Sequence, residues 1–523
     1  MSKYTQIERS GLFELTDIAR AELTSSKYYN EDLAPTSLSQ RTWTTYNIAS
    51  LWIGMSICIP SFTMASGLVG LGLSPWAAVF NVTLGNLIVL IPMQLNSHAG
   101  TKYGIPFPVF SRLTFGSIGA HIPSLSRALT ACGWCAIQSW IGGAAIVVFV
   151  GAFIKPFKEM GKINLMGIDV GMAQLIGFFV FLGIVLWISY RGSEGIKWME
   201  AIGAPVLVAL SIALLFWSTS IVFNEGYGVG NILQASTNVE VVAVNGGYMY
   251  VFLAGLTANI AFWATMALNI PDFSRYAKSQ KAQFRGQLYG MPLMMFFCAF
   301  VGAYFAQSTF LVFGEATFDP TDVLYQLQNP VIAVVVSLGV AIATLTTNIA
   351  ANVVAPANGF SNLVPSKISY KTGVIIACIL AILYRPWWIF GGPGAYLFGW
   401  LGTYGTILAP IAAIFVADYY IVKNRTIDVM ALFQGSSGRY WYQGGFNVRA
   451  IAAWIFAFVI PVFGNPETFD MFGSFGSWVA ANGYLFSFFA GLVLYWLLMR
   501  NEKSSLLSDE EHEAMTDRAA VNV

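Results

Sequence analysis

In the stretch CGWCAIQSW, Trp134 and Gln138 are four residues apart and so share one face of a helix. A second indole, Trp263, lies in FLAGLTANIAFWATMALNIPDF, and the run ATLTTNIAANVVAPAN sets Asn348 and Asn352 four apart as well. A primary amide offers one acceptor and two donors side by side, which matches the alternating carbonyl and N–H edge of a uracil, hydantoin or ureide. Indole faces add flat apolar area on which a planar ring can stack. Each residue also has a plainer reading, since an amide can bond a neighbouring helix and an indole can simply pack, as Trp140 on the same helix illustrates.

Sodium, a hard cation, prefers oxygen ligands. Thr346 and Thr347 supply adjacent hydroxyls, Ala343 lies one turn earlier, and backbone carbonyls near Gly54 and Ile57 could complete a shell. The competing reading is that such hydroxyls bond the carbonyl one turn back. A proton-coupled carrier commonly uses a carboxylate within the bilayer. No Asp, Glu, Lys, Arg or His lies near the middle of any long apolar run, so sodium is favoured over the proton, and no other cofactor is called for. Asp272, Asp418, Glu200, His98, His121 and Arg127 fall at or near the ends of such runs, where pairing, hydration or capping is the default. A charged cargo would need a buried counter-charge, so the cargo is expected to be neutral.

The surroundings that must position these groups are apolar. Of 523 residues, 56% are hydrophobic and only 10% charged, against about 25% charged in a soluble protein. Residues 1–46 hold 11 of the 53 charged side chains and residues 500–523 hold 9, so the chain between is built to meet lipid. A net charge of +1 without a long basic tract gives nucleic-acid binding no electrostatic footing. All five cysteines, Cys58, Cys132, Cys135, Cys298 and Cys378, sit in apolar segments and read as core residues. The Cys132–Cys135 pair lacks the second pair or strand-turn-helix setting of a metal or redox site.

A helix needs about 20 apolar residues to cross a bilayer. Runs of that order recur at 47–72, 76–97, 121–154, 172–190, 200–222, 247–270, 289–314, 331–358, 373–391, 394–421, 448–464 and 478–499, giving twelve expected spans. With the amino terminus inside, the cytoplasmic loops hold fourteen Lys and Arg, Lys367 and Arg425 among them, and the outer side four: Lys155, Lys158, Lys162 and Arg385. That asymmetry predicts a multi-pass protein of the cell membrane with both termini cytoplasmic.

The first and sixth expected spans are rich in helix breakers and small polar residues: Gly54, Ser56 and Pro60 in one, Gly255, Thr257, Asn259 and Thr265 in the other. Interrupted helices at corresponding positions of two halves point to a transporter site at the membrane midplane. Spans one to five and six to ten would then be two repeats of opposite topology. The alternative is that Gly54 and Gly255 only let helices approach closely.

Six ordered stretches resemble the nucleobase:cation symporter-1 family: NIASLWIGM, HAGTKYGIPFPVFSR, CGWCAIQSWIGG, ANIAFWATMALNIPDFSRYAKSQ, TLTTNIAANVVAPAN and ADYYIVKNR. The resemblance implies an all-α integral membrane fold of the LeuT-like type, a 5+5 inverted repeat within twelve transmembrane helices, with helices 1 and 6 broken. It implies a cytoplasmic tail at 1–46, repeats at 47–222 and 247–421, two peripheral helices at 448–499 and a second cytoplasmic tail at 500–523. The family's stacking tryptophans fall on Trp134 and Trp263, its amides on Gln138 and Asn352, and its sodium site on Gly54, Ile57, Ala343, Thr346 and Thr347. Phe262 stands where a hydantoin carrier of this family has a small residue, and Cys58 replaces a polar amide, so both reshape the substrate site.

The sequence therefore reads as a secondary active transporter, not an enzyme, importing a small neutral heterocycle, uracil first, by cation symport with alternating access. Allantoin, hydantoin or a purine base is the alternative within the family; a passive channel or a binding receptor is the alternative outside it. Besides the cargo and the lipid bilayer no partner is expected, and the tails and the loop from Arg425 to Gly445 carry no motif.

Overall fold

The computed structural model describes residues 5–191, 194–326, 329–363, 368–503 and 505–518; Lys367, counted above in a cytoplasmic loop, lies outside them. Among the described residues seven helices are long and apolar enough to cross a membrane, two further pairs form bent spans, and three shorter apolar helices complete the set. Together they stand at the twelve expected positions.

Helix ends follow local chemistry. The second span, Pro75–Tyr103, opens on Ser74, whose hydroxyl accepts from the Ala77 N–H, with Pro75 at the first helical position. It closes on Gly104 at φ 69°, a left-handed cap that a glycine adopts without strain. The seventh, Gln280–Phe313, is bounded likewise by Ser279 and by Gly314 at φ 82°.

The first span is broken, as expected: Thr45–Ser56 and Ile59–Gly70 meet at 56°. In the sixth, Tyr248–Ala261 gives way to Ala264–Asn269 across Phe262 and Trp263. The eighth runs from an α-helix, Pro330–Asn348, through a π-helical stretch, Ile349–Val354, into Ala355–Leu363. The tenth also carries π-helical turns, Gly394–Leu401 and Ala417–Val422, on either side of Gly402–Val416.

Amides join the first group of helices. Asn259 Nδ2 on the sixth span donates to Asn81 Oδ1 on the second at 2.8 Å, and Asn96 Nδ2 donates to the Ala267 carbonyl at 2.8 Å. Gln287 Nε2 on the seventh donates to Ser97 Oγ at 2.8 Å. A second group forms around the third span, His121–Gly151, and the fourth, Met172–Tyr190. There a Cβ on Gly143 would fall 2.6 Å from the Phe178 nitrogen, so only glycine permits that approach.

The structure corrects the sequence reading at two spans and adds small strands outside the bundle. The ninth span is Tyr370–Leu383 and stops short of residue 391, because Arg385 turns to φ 51° ahead of Pro386 and starts the short helix Pro386–Ile389. The twelfth is not one rod: Gly473–Ala481 and Gly483–Met499 meet at 84°. Small strands accompany the helical bundle: β3 (Lys162–Leu165) and β4 (Ile168–Gly171) form a hairpin between the third and fourth spans. Strands also form within the described parts of both tails. β1 (Gln6–Arg9) and β2 (Leu12–Leu15) turn through Ser10 and Gly11 at φ 53° and 75°, the geometry of a two-residue hairpin loop. β5 (Thr516–Arg518) then pairs with β1 in parallel, joining the two termini.

That small sheet is seated on the helix ends. Phe13 stacks on Tyr103 with ring centroids 5.1 Å apart, and Arg41 donates to the carbonyls of Thr101, Thr36 and Phe13. The loop after the tenth span buries Ile427, Leu432, Phe433 and Tyr440 against the same layer.

Candidate functional site

The break in the first span is an extended dipeptide, with Ile57 at φ −84°, ψ 92° and Cys58 at φ −148°, ψ 160°. The Cys58 N–H turns back to the Ser56 carbonyl, and among the described residues the carbonyls of Gly54 and Ile57 have no backbone donor. Pro60, which has no N–H to lose, sits at the start of the outer half. A Cβ on Gly54 would meet nothing within 4 Å, whereas one on Gly255 would lie 2.6 Å from Leu68 Cδ2. Close packing therefore accounts for Gly255 and not for Gly54.

Trp134, Phe262 and Trp263 come together at the break in the sixth span. The Phe262 ring meets Trp134 edge to face, with centroids 5.2 Å apart and planes at 81°. It meets Trp263 at 5.1 Å and 86°. Phe262 thus touches both Trp134 and Trp263. Trp52 meets Trp263 edge to face at 5.1 Å, and among the described residues the buried Nε1 of each has no hydrogen-bond partner.

Sequence reading missed the contribution of the tenth span. Tyr396 and Tyr404 present their rings to Trp134 at 6.2 and 6.4 Å, and Tyr404 donates to the Ala261 carbonyl freed by the break, at 2.9 Å. The signal was legible, since Tyr396, Trp400 and Tyr404 recur every four residues.

Gln138 is 3% exposed, and its amide makes no hydrogen bond to another described residue. Asn352 is 8% exposed and donates to Asn348 Oδ1 at 3.2 Å. Asn348 in turn donates to Ser139 Oγ at 3.1 Å and to the Cys135 carbonyl at 3.4 Å, tying the eighth span to the third. Cys58 Sγ lies 3.2 Å from Ser61 Oγ and so bonds locally.

The cation candidates are split. Thr346 Oγ1 and Thr347 Oγ1 both donate to the Ala343 carbonyl, at 2.8 and 3.1 Å, the local bond weighed against ion binding above. Their oxygen lone pairs remain available as ligands. Among the described residues no hydrogen bond joins this trio to Gly54 or Ile57.

Three of the ionisable groups near span ends have local partners, whereas Arg127 is buried with its Nε and Nη1 bonded to no described residue. Asp418, at the end of the tenth span, is fully buried in an ion pair with Lys423 and accepts from Thr114 Oγ1 at 2.9 Å and Tyr495 Oη at 2.7 Å. Asp272 accepts from the Phe107 N–H at 2.8 Å, and His98 bonds Tyr419 Oη at 2.9 Å. These are the pairing and capping roles expected of them.

An edge-to-face aromatic cluster at the interruption of the sixth span, with neutral amides on the third and eighth spans, suits a planar heterocycle. A family model for permeases for cytosine/purines, uracil, thiamine and allantoin matches residues 35–508. The chain belongs to this family, the nucleobase:cation symporter-1 permeases. It is 38% identical over 489 residues to the purine-uracil permease NCS1 of Arabidopsis thaliana, covering 92% of this chain and 80% of that one. It is 34% identical over 499 residues to an allantoin permease of Bacillus subtilis strain 168, covering 95% and 98%. Among solved structures it resembles the inward-facing conformation of Mhp1, with a TM-score of 0.73 at 23% identity over 90% of this chain and 93% of that one. A closed form of Mhp1 with bromovinylhydantoin bound gives 0.71 at 22% identity over 94% and 99%. The permease fold is LeuT-like, an inverted repeat with helices 1 and 6 broken, and the chain is a multi-pass membrane transporter rather than an enzyme.

Proposed function

We propose that this nucleobase permease imports a neutral heterocycle, uracil first, together with sodium. The supporting observation is the Trp134, Phe262 and Trp263 ring cluster, with the buried Gln138 amide one helical turn from Trp134 and bonded to no other described residue. Such a site rewards a planar guest with ring contact and a donor-acceptor edge, and offers a charged guest no compensation for lost hydration.

In this reading Trp134 and Trp263 flank the ring, Phe262 and Cys58 shape the space, and Gln138 and Asn352 read the edge. Gly54, Ile57, Ala343, Thr346 and Thr347 hold the cation. An ion that draws the first and eighth spans together raises substrate affinity, and by linkage the substrate raises that of the ion. The repeats 47–222 and 247–421 supply the two bodies that rock against each other, 448–499 stays peripheral, and both tails are cytoplasmic. Allantoin is the second choice, favoured by the nearly full-length match to the Bacillus subtilis allantoin permease.

The test is uptake of labelled uracil into proteoliposomes, with sodium or potassium outside and a panel of bases and ureides as competitors. Accumulation above the outside concentration that requires sodium and yields to unlabelled uracil is the expected result. Equilibration without accumulation would point to a channel, and stronger competition by allantoin would move the assignment to the ureide.

A further inference from the structure

The polar chain leading away from Asn352 ends on the Ser139 hydroxyl and on the Cys135 carbonyl, which can only accept. Asn348 Nδ2 lies 3.4 Å from the Cys135 carbonyl and 3.1 Å from Ser139 Oγ. A backbone carbonyl has no proton to give, so the Asn348 nitrogen must face it and the Asn348 carbonyl must point the other way. There Asn348 Oδ1 accepts from Asn352 Nδ2 at 3.2 Å. The second amide is thereby oriented too, with its nitrogen turned to Asn348 and its Oδ1 bonded to no described residue. Both side chains are buried, so water competes little for either orientation. The bond crosses the junction where the eighth span passes from α- to π-helix, and π-helical turns are frequent at functional sites.

We propose that Asn348 is a positioning residue for substrate selection. Anchored on Cys135 and Ser139, it holds the Asn352 carbonyl oxygen towards the bound heterocycle, so the transporter selects ring edges that present an N–H there. This rests on the placement of Asn352 in the substrate site. Gln138 is untied and can turn to suit a donor or an acceptor. One reader is fixed and the other adaptable, so cargoes of different ring size are accepted if they share one correctly placed N–H. A heterocycle methylated at that nitrogen loses the bond and brings a methyl group against a buried oxygen.

The test uses the full-length protein in proteoliposomes. The labelled probe is whichever of uracil, allantoin and hypoxanthine the wild type accumulates, and competitors are the same compound and its ring N-methyl derivatives. Asn348→Leu keeps the side-chain volume and removes the donor to Cys135. Discrimination against the excluded N-methyl derivative should fall by roughly tenfold. In an Asn352→Ala background the same change should move affinity by less than about twofold, since Asn348 acts through Asn352. Unchanged discrimination in Asn348→Leu, or effects of the two substitutions that simply multiply, overturns the positioning role alone. Wild-type affinity and discrimination in Asn352→Ala overturns the placement of Asn352 and this proposal with it. If Asn348→Leu does not reach the membrane, Ser139→Ala decides: a fall in discrimination of about threefold supports the role, and none overturns it.

Discussion

Phe262 meets Trp134 edge to face at 5.2 Å and Trp263 edge to face at 5.1 Å, so one phenyl ring touches both indoles of the candidate site. The width open to a guest is therefore set by Phe262 as much as by the tryptophans. Phe262→Gly is expected to let hydantoins with an aryl substituent compete for uptake roughly tenfold better, because the deleted ring leaves volume of matching shape. Competition curves for aryl hydantoins in wild type and variant decide it, and superimposable curves would remove Phe262 from the site.

Gln138 and Asn352 offer the only amide edges assigned to the cargo. Truncating either leaves polar groups of the ligand unpaired at a cost of about 1–3 kcal/mol, hence roughly 5- to 150-fold in affinity. Uracil affinity within twofold of wild type in both Gln138→Ala and Asn352→Ala would discard the assignment.

Thr346 and Thr347 share one acceptor, the Ala343 carbonyl. If their oxygens also hold sodium, Thr346→Ala with Thr347→Ala should raise the half-saturating sodium concentration by about tenfold or more, each lost oxygen ligand weakening the site by about 1 kcal/mol or more. Uptake measured against sodium at constant ionic strength reads this directly. Uptake indifferent to sodium in the wild type and driven by an acidic outside would transfer the coupling role to the proton.

Asp418 and Lys423 form a buried pair supported by Thr114, Tyr495 and Tyr442. Removing one member strands the other, at a cost of about 3–5 kcal/mol, so Asp418→Leu should unfold at a clearly lower temperature in detergent. Asp418→Leu with Lys423→Met should recover most of the loss. A double variant no more stable than the single one would argue against a paired charge.

Strand β5 covers one edge of β1. Ending the chain at residue 507 uncovers that edge and removes His512, whose ring lies 5.7 Å from Phe13. Limited proteolysis should then cut within residues 5–16 faster than in the full-length protein, while the membrane core keeps its protection. Equal cutting rates would mean that the tail sheet holds without its third strand.

Much of this protein is decided within single segments of chain. Each apolar run must bury itself or face lipid, so the count of spans, the break at Gly54 and Pro60, and the absence of charge at depth are readable one residue after another. The shared face of Trp134 and Gln138 is equally local, since helical spacing alone sets it. What lies between Trp134 and Trp263 is not local: it depends on how the third, sixth and tenth spans approach one another, which no spacing encodes. The same holds for the Asp418–Lys423 pair with its tyrosines, for the amide chain from Cys135 to Asn352, and for β1 and β5, which pair across almost the whole chain. Periodicity states which residues leave a helix together; only packing states what they meet.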